Sequence, residues 1–204
     1  MKAMKMFGLL GLAGLATGLL TGTPALADSV ADFYKGKRIT VWVGYSPGGG
    51  YDRYARTMAR HMSQYIPGNP KLIIKNRPGA GSMLVANELY NILPKDGTAI
   101  GLIGRGLPLE PLLGNKQAKY DASKFNWLGS ANNEVSVCIA WHKTGITKFE
   151  QLKSKQMVVG GTGTGSDTDT FPKVLNNLFG TKLKLVTGYP GGVDVDFAVE
   201  RGEL

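Results

Sequence analysis

Apolar positions along the chain alternate between two rhythms. Residues 39–45 are a β-branched and aromatic run that predicts a strand, broken at Ser46-Pro47-Gly48-Gly49-Gly50. Ala55, Met58, Ala59, Met62 and Ile66 then fall at the spacing of one helical face, stopped by Pro67-Gly68-Asn69-Pro70. Residues 71–76 read as a second strand and 77–82 as a loop, with Val85, Leu89, Ile92 and Leu93 as the face of a second helix. A turn at Pro94-Lys95-Asp96-Gly97 leads to a third strand over 99–103, after which 107–126 keeps neither rhythm. Beyond it, 135–141 predicts a strand holding Cys138 as a small core residue, and 149–153 a short helix. A strand at 157–159 runs through the loop 160–166 into a helix that groups Phe171, Val174, Leu175, Leu178 and Phe179. A strand at 184–186 and a helix at 193–199 end the pattern.

Strand-loop-helix units of this length imply mostly parallel sheets covered by helices, because parallel strands need a crossover. The composition changes near 129–134, which divides the chain into a first α/β lobe at 28–133 and a second at 134–204. The second is small for an independent unit, and an incomplete lobe is the expectation. Residues 1–27 stand outside the fold: Lys2 and Lys5 precede an apolar run at 7–20, and Ala25-Leu26-Ala27 has the small-x-small form of a signal-peptidase site. The run is shorter than the roughly 20 residues that span a bilayer. Export to the periplasm with cleavage after Ala27 is expected, with a short N-terminal helix packed on a core as the alternative.

Composition changes little in this picture. The chain has 204 residues, 43% of them hydrophobic and 19% charged, as globular domains do. Without the leader, 22 basic and 15 acidic side chains remain, and the basic ones are dispersed. No stripe or aromatic-basic ladder accompanies them, so nucleic acid is not expected and the charge favours anionic ligands. One cysteine excludes an intramolecular disulfide and a cysteine-based metal centre, and two histidines 81 residues apart give no metal spacing. Neither a metal nor a cofactor is expected.

Three glycine-rich loops follow strands and lead into helices, where open α/β sheets bind ligands and helix N-termini attract anions. Alone, each loop reads as a tight turn; together they favour a binding site. Gly49 and Gly163 are the positions expected to need a bare backbone. Gly44-Tyr45-Ser46-Pro47-Gly48 matches a nucleophile elbow, but Pro47 lacks the N–H that would form the oxyanion hole, and nothing places His142 near Ser46. The loop at 160–166 completes neither a dinucleotide fingerprint nor a Walker motif. No catalytic residue is expected.

Several motifs occur in a telling order: Pro47-Gly48-Gly49-Gly50 with Asp52, Ala55 and Arg56; Asn76-Arg77-Pro78-Gly79-Ala80-Gly81; Pro94-Lys95-Asp96-Gly97-Thr98; 161–166; and Gly188-Tyr189-Pro190-Gly191-Gly192. The chain resembles the substrate-binding receptors of tripartite tricarboxylate transporters, the TctC-like or Bug-type periplasmic proteins. That resemblance implies a type II periplasmic-binding-protein-like α/β fold, two lobes with a ligand cleft between them, and a chain that continues beyond residue 204. It implies a monomeric, non-enzymatic receptor that delivers a small organic carboxylate to the transporter's integral-membrane subunits. Carried over, the ligand-binding residues are Ser46, Gly48, Gly49, Gly50, Tyr51 and Asp52 in the first lobe, and Thr162, Gly163, Thr164, Gly165 and Ser166 in the second. Gly79, Gly81 and Ser82 would flank the cleft less directly. The family commonly has a smaller hydroxyl residue at Tyr51, so this ring is expected to narrow the cleft or stack on a flat ligand. An exported hydrolase using Ser46 and a ligand-binding module for a sensor system are the competing functions.

Overall fold

A computed structural model describes residues 25–133 and 135–204. The expected leader therefore lies outside the described residues, except that helix α1, Ala25–Tyr34, begins at Ala25. The first unit is a three-stranded parallel sheet, β1 (Arg38–Val43), β2 (Lys71–Asn76) and β3 (Ala99–Leu102), in the order β2-β1-β3. Helices α2 (Gly50–Met62) and α3 (Met83–Asn91) are its crossovers. The second unit pairs β4 (Met157–Gly161) with β5 (Leu183–Thr187), again in parallel, with α4 (Asp167–Phe179) and α5 (Gly192–Arg201) following them.

Central β1 alternates, burying Ile39, Val41 and Val43, with Tyr45 continuing the alternation into the loop. Val41, Val43, Tyr45 and Ala55 form one core cluster, flanked by Leu72, Ile74, Ile100 and Leu102. Met83, Ala86, Leu107 and Tyr120 form another behind α3, so the unpatterned stretch after β3 is core to this unit. The second unit's cluster is small: Leu152, Met157 and Leu183, with Leu175 beside them. No helix among the described residues is long and apolar enough to cross a membrane.

Three expectations are corrected. Residues 135–141 form no strand; Val135, Val137 and Ile139 are exposed, and so is Cys138, which is not a core residue. A strand needs a partner ladder, and β4 and β5 pair only with each other among the described residues. On α2, Met58 is exposed, and the inward positions start instead with Asp52 and Ala55. On α4, Phe171, Val174, Leu178 and Phe179 are exposed and none joins the unit's core cluster, while Leu175 packs against that cluster and Asp169 is buried.

Candidate functional site

Parallel strands put all their carboxyl ends on one edge, and the edges of the two sheets meet. Ser46, after β1, donates its N–H to the Pro190 carbonyl at 3.2 Å and its hydroxyl to Asp194 Oδ2 at 2.5 Å. Gly81, after β2, donates its N–H to the Thr162 carbonyl at 2.8 Å. Arg105, after β3, forms an ion pair with Asp167 and donates to the Ser136 hydroxyl at 2.8 Å. The junction at Gly81 relies on bare backbone: Gly163 has φ +119°, and a Cβ there would lie 2.6 Å from the Gly81 nitrogen.

Each unit holds its glycine loop with an aspartate at the third helical position. Asp52 of α2 accepts from the Gly48 N–H at 2.9 Å, the Asn76 amide at 2.9 Å and Arg56 Nε at 2.8 Å. Its burial opposes ionisation, but Arg56, the Gly48 N–H and Asn76 outweigh that and lower the carboxyl from 3.8 to about 2. Asn76 also donates to the Tyr45 carbonyl at 3.0 Å, so two of the sequence motifs meet in one network. Asp169 of α4 accepts from the Gly163 N–H at 2.8 Å and from Thr187.

A cleft of about 910 Å³ lies between the units. Three helix N-termini line it: α2 through Gly49, Gly50 and Tyr51, α4 through Ser166, Asp167 and Thr168, and α5 through Gly192. No side chain caps any of the three. Their first-turn acids are paired within the protein: Asp52 and Asp169 with their glycine loops, Asp167, itself on the cleft wall, with Arg105, and Asp194 with Ser46. The arrangement leaves three partial positive poles on one space. Arg105 is the one lysine or arginine on the lining, which also carries the acids Asp167, Asp196 and Glu200; the remaining walls are largely apolar, with Trp141, Phe171 and Val195 among them.

Of the expected site residues, Gly49, Gly50, Tyr51, Thr162, Gly165 and Ser166 reach this cleft. Ser46, Gly48 and Asp52 stand behind it as the loop's support. Gly81, Ser82 and Gly163 make the junction; Ser82 accepts from the Gly104 N–H at 2.6 Å. Gly79 packs at the start of the same turn, against Leu84 if it bore a Cβ. Thr164 opens onto a second cavity of about 530 Å³ beside Glu110 and Lys173. Tyr51 stacks on Tyr45, with ring centroids 4.4 Å apart, and burial followed by that neighbour pushes the Tyr45 phenol well above its ordinary range.

The nucleophile arrangement is not assembled. Ser46 is 7% exposed with its proton directed to a carboxylate. His61 is exposed on α2, and His142 sits beside Trp141 in a short 3-10 turn. Arg105 and Asp194 are the site residues that sequence reasoning missed. Arg105 follows β3 as directly as the glycine loops follow their strands, and that position was the available signal.

No family model matches the chain. Among solved structures, a periplasmic transporter superposes with a TM-score of 0.63 at 21% identity, over 84% of this chain and 58% of that one. The periplasmic binding protein BugD superposes with a TM-score of 0.62 at 17% identity, over the same shares. The fold is that of the Bug-type periplasmic binding proteins. The resemblance carried by the glycine motifs is borne out at this level, as is the two-lobed α/β class. An R. palustris protein solved with adipate superposes as well, with a TM-score of 0.56 at 16% identity over 82% of this chain and 57% of that one. Two curated relatives are UPF0065 proteins. One, from the TAR-I ttuE-ttuC' intergenic region of Agrobacterium vitis, is 27% identical over 177 residues, which are 82% of this chain and 50% of the relative. The other, from the tcbD-tcbE intergenic region of Pseudomonas sp. (strain P51), is 30% identical over 99 residues, 48% of this chain and 28% of the relative. The chain spans half or less of the length of these curated relatives.

Proposed function

We propose that the chain belongs to a periplasmic solute receptor that binds a small organic carboxylate and delivers it to a tripartite tricarboxylate-type transporter in the membrane. The observation that carries this reading is the convergence of three uncapped helix N-termini on one cleft. Each such terminus favours an anion by about 0.3–1 kcal/mol, more where solvent is partly excluded. Backbone donors of this kind read a carboxylate at Gly49, Gly50 and Gly165, with Tyr51, Thr162 and Ser166 lining the cleft beside them; the Thr162 and Ser166 N–H groups are bound to Thr168 Oγ1 and to the Gly163 carbonyl. Ser46, Gly48, Asp52, Gly79, Gly81, Ser82, Gly163 and Thr164 hold those loops in place. The apolar wall at Phe171 and Val195 suits the carbon skeleton of the ligand. The fold shared with a protein solved with adipate supports the same ligand class. A receptor of this kind acts as a monomer and catalyses nothing.

Calorimetric titration with adipate and with adipamide, its uncharged diamide, tests the reading. Saturable binding of the acid and none of the diamide is expected. Equal binding of both, or of neither across a panel of short carboxylates, would overturn it. Turnover of simple esters that disappears in Ser46→Ala would install the hydrolase in its place.

A further inference from the structure

One of the junctions between the units reaches the loop that faces the cleft. Ser46 opens that loop, and three contacts with the second unit hold it: its N–H on the Pro190 carbonyl, its hydroxyl on Asp194, and the bare face of Gly191. A Cβ on Gly191 would lie 2.2 Å from Ser46 Oγ and 3.2 Å from its nitrogen. Gly191 has φ −167°, an extended conformation open to any residue, so it is this approach and not its own backbone that calls for glycine.

We propose that Asp194 is a positioning residue for the ligand loop: through Ser46 it latches the first unit's loop to the N-terminus of α5 and keeps the cleft walls in register. The proposal rests on the carboxylate reading of the cleft, and it adds what holds that cleft closed. Leverage from the latch to the ligand wall is short. Pro47 has a nearly fixed φ, and the next N–H, that of Gly48, is bound to Asp52. Displacing Ser46 therefore moves Gly49 and Gly50, which line the cleft at the start of α2. All the latch atoms belong to the protein, so the contact operates without ligand. Its chemistry also accounts for the serine: the hydroxyl is spent on a carboxylate across the junction.

The test reads the distance between the units. Spin labels at Gln64→Cys and Lys184→Cys, both exposed, in a Cys138→Ser background give that distance by double electron–electron resonance in ligand-free protein. A single narrow distribution is expected for this parent and for Asp194→Asn, whose amide oxygen still accepts from Ser46. Asp194→Ala and Gly191→Ala should broaden and lengthen it, the second by steric wedging alone, and should speed adipate dissociation at least tenfold. Should Asp194→Ala fail to fold, Gly191→Ala still decides, since it perturbs nothing but the contact. A parent-like distribution in Gly191→Ala, or a lower melting temperature in Asp194→Ala with unchanged distance, would overturn the latch. If the parent binds no carboxylate while the distances shift as expected, the ligand reading falls and the latch stands.

Discussion

Asp52 and Asp169 do the same work in the two units: a carboxylate in the first turn of a helix reaches back to a glycine N–H in the preceding loop. The arrangement gives a loop without side chains a defined shape. It also makes part of the stability depend on pH. Because the folded carboxyl of Asp52 titrates near 2 and the free group near 3.8, its ionised form stabilises the fold fully above about pH 4, and that contribution is lost as pH falls through 2. Since Arg56 is half exposed, screening limits the effect to on the order of 1–2 kcal/mol. Denaturant melts at pH 5 and pH 2.5 should show the loss in the parent and a flatter profile in Asp52→Asn. The two glycines singled out by sequence separate at this scale. Gly49 has φ −75°, and a Cβ there would meet nothing nearer than 3.8 Å, so Gly49→Ala should leave stability within about 0.5 kcal/mol. Gly163→Val should cost about 1–3 kcal/mol, read as a shifted denaturant midpoint, because a strained φ and a backbone clash coincide.

Helices and strands formed where local pattern and a partner surface agreed. β1 and β2 lie where β-branched runs place them, and each finds a parallel ladder. The segment 135–141 has an equally good strand pattern and no ladder, so it stays without regular structure and exposed. Amide exchange monitored by mass spectrometry should therefore find 135–141 unprotected within seconds while β1 exchanges orders of magnitude more slowly. Protection of 135–141 equal to that of β1 would contradict this description. On α4 the apolar residues are spread too widely to be covered by a two-stranded sheet, which takes only Leu175.

At the scale of the molecule, two parallel sheets present their carboxyl edges to one another and the cleft lies between them. The Arg105–Asp167 pair spans the units at the cleft wall, with side chains 43% and 28% exposed. A pair this accessible couples weakly, by about 0.2–1 kcal/mol. A double-mutant cycle of Arg105→Ala and Asp167→Ala, followed by thermal unfolding, should return a coupling in that range at low salt and less at 0.5 M salt. A coupling that does not respond to salt would show that the two side chains act through packing and not charge.

Much of this was legible in the chain itself. The alternation of strand and helix periods, the prolines that stop α2, and the glycine runs after β1 and β4 are local features, and they determined the fold class and where the glycine-rich loops stand. The sequence also marked Gly163 as a position that needs a bare backbone, because a conformation that excludes side chains leaves a compositional trace; that the close approach is to Gly81 it did not show. What it could not settle depends on distance in space. Asp194 stands 148 residues from Ser46, and nothing local in either position announces the other. Whether 135–141 pairs as a strand is decided by a neighbouring edge, and whether Met58 or Phe171 is buried is decided by how wide a surface the sheet offers. Propensity is a property of a segment, whereas burial and pairing are properties of two surfaces that meet, and only the tertiary structure brings those together.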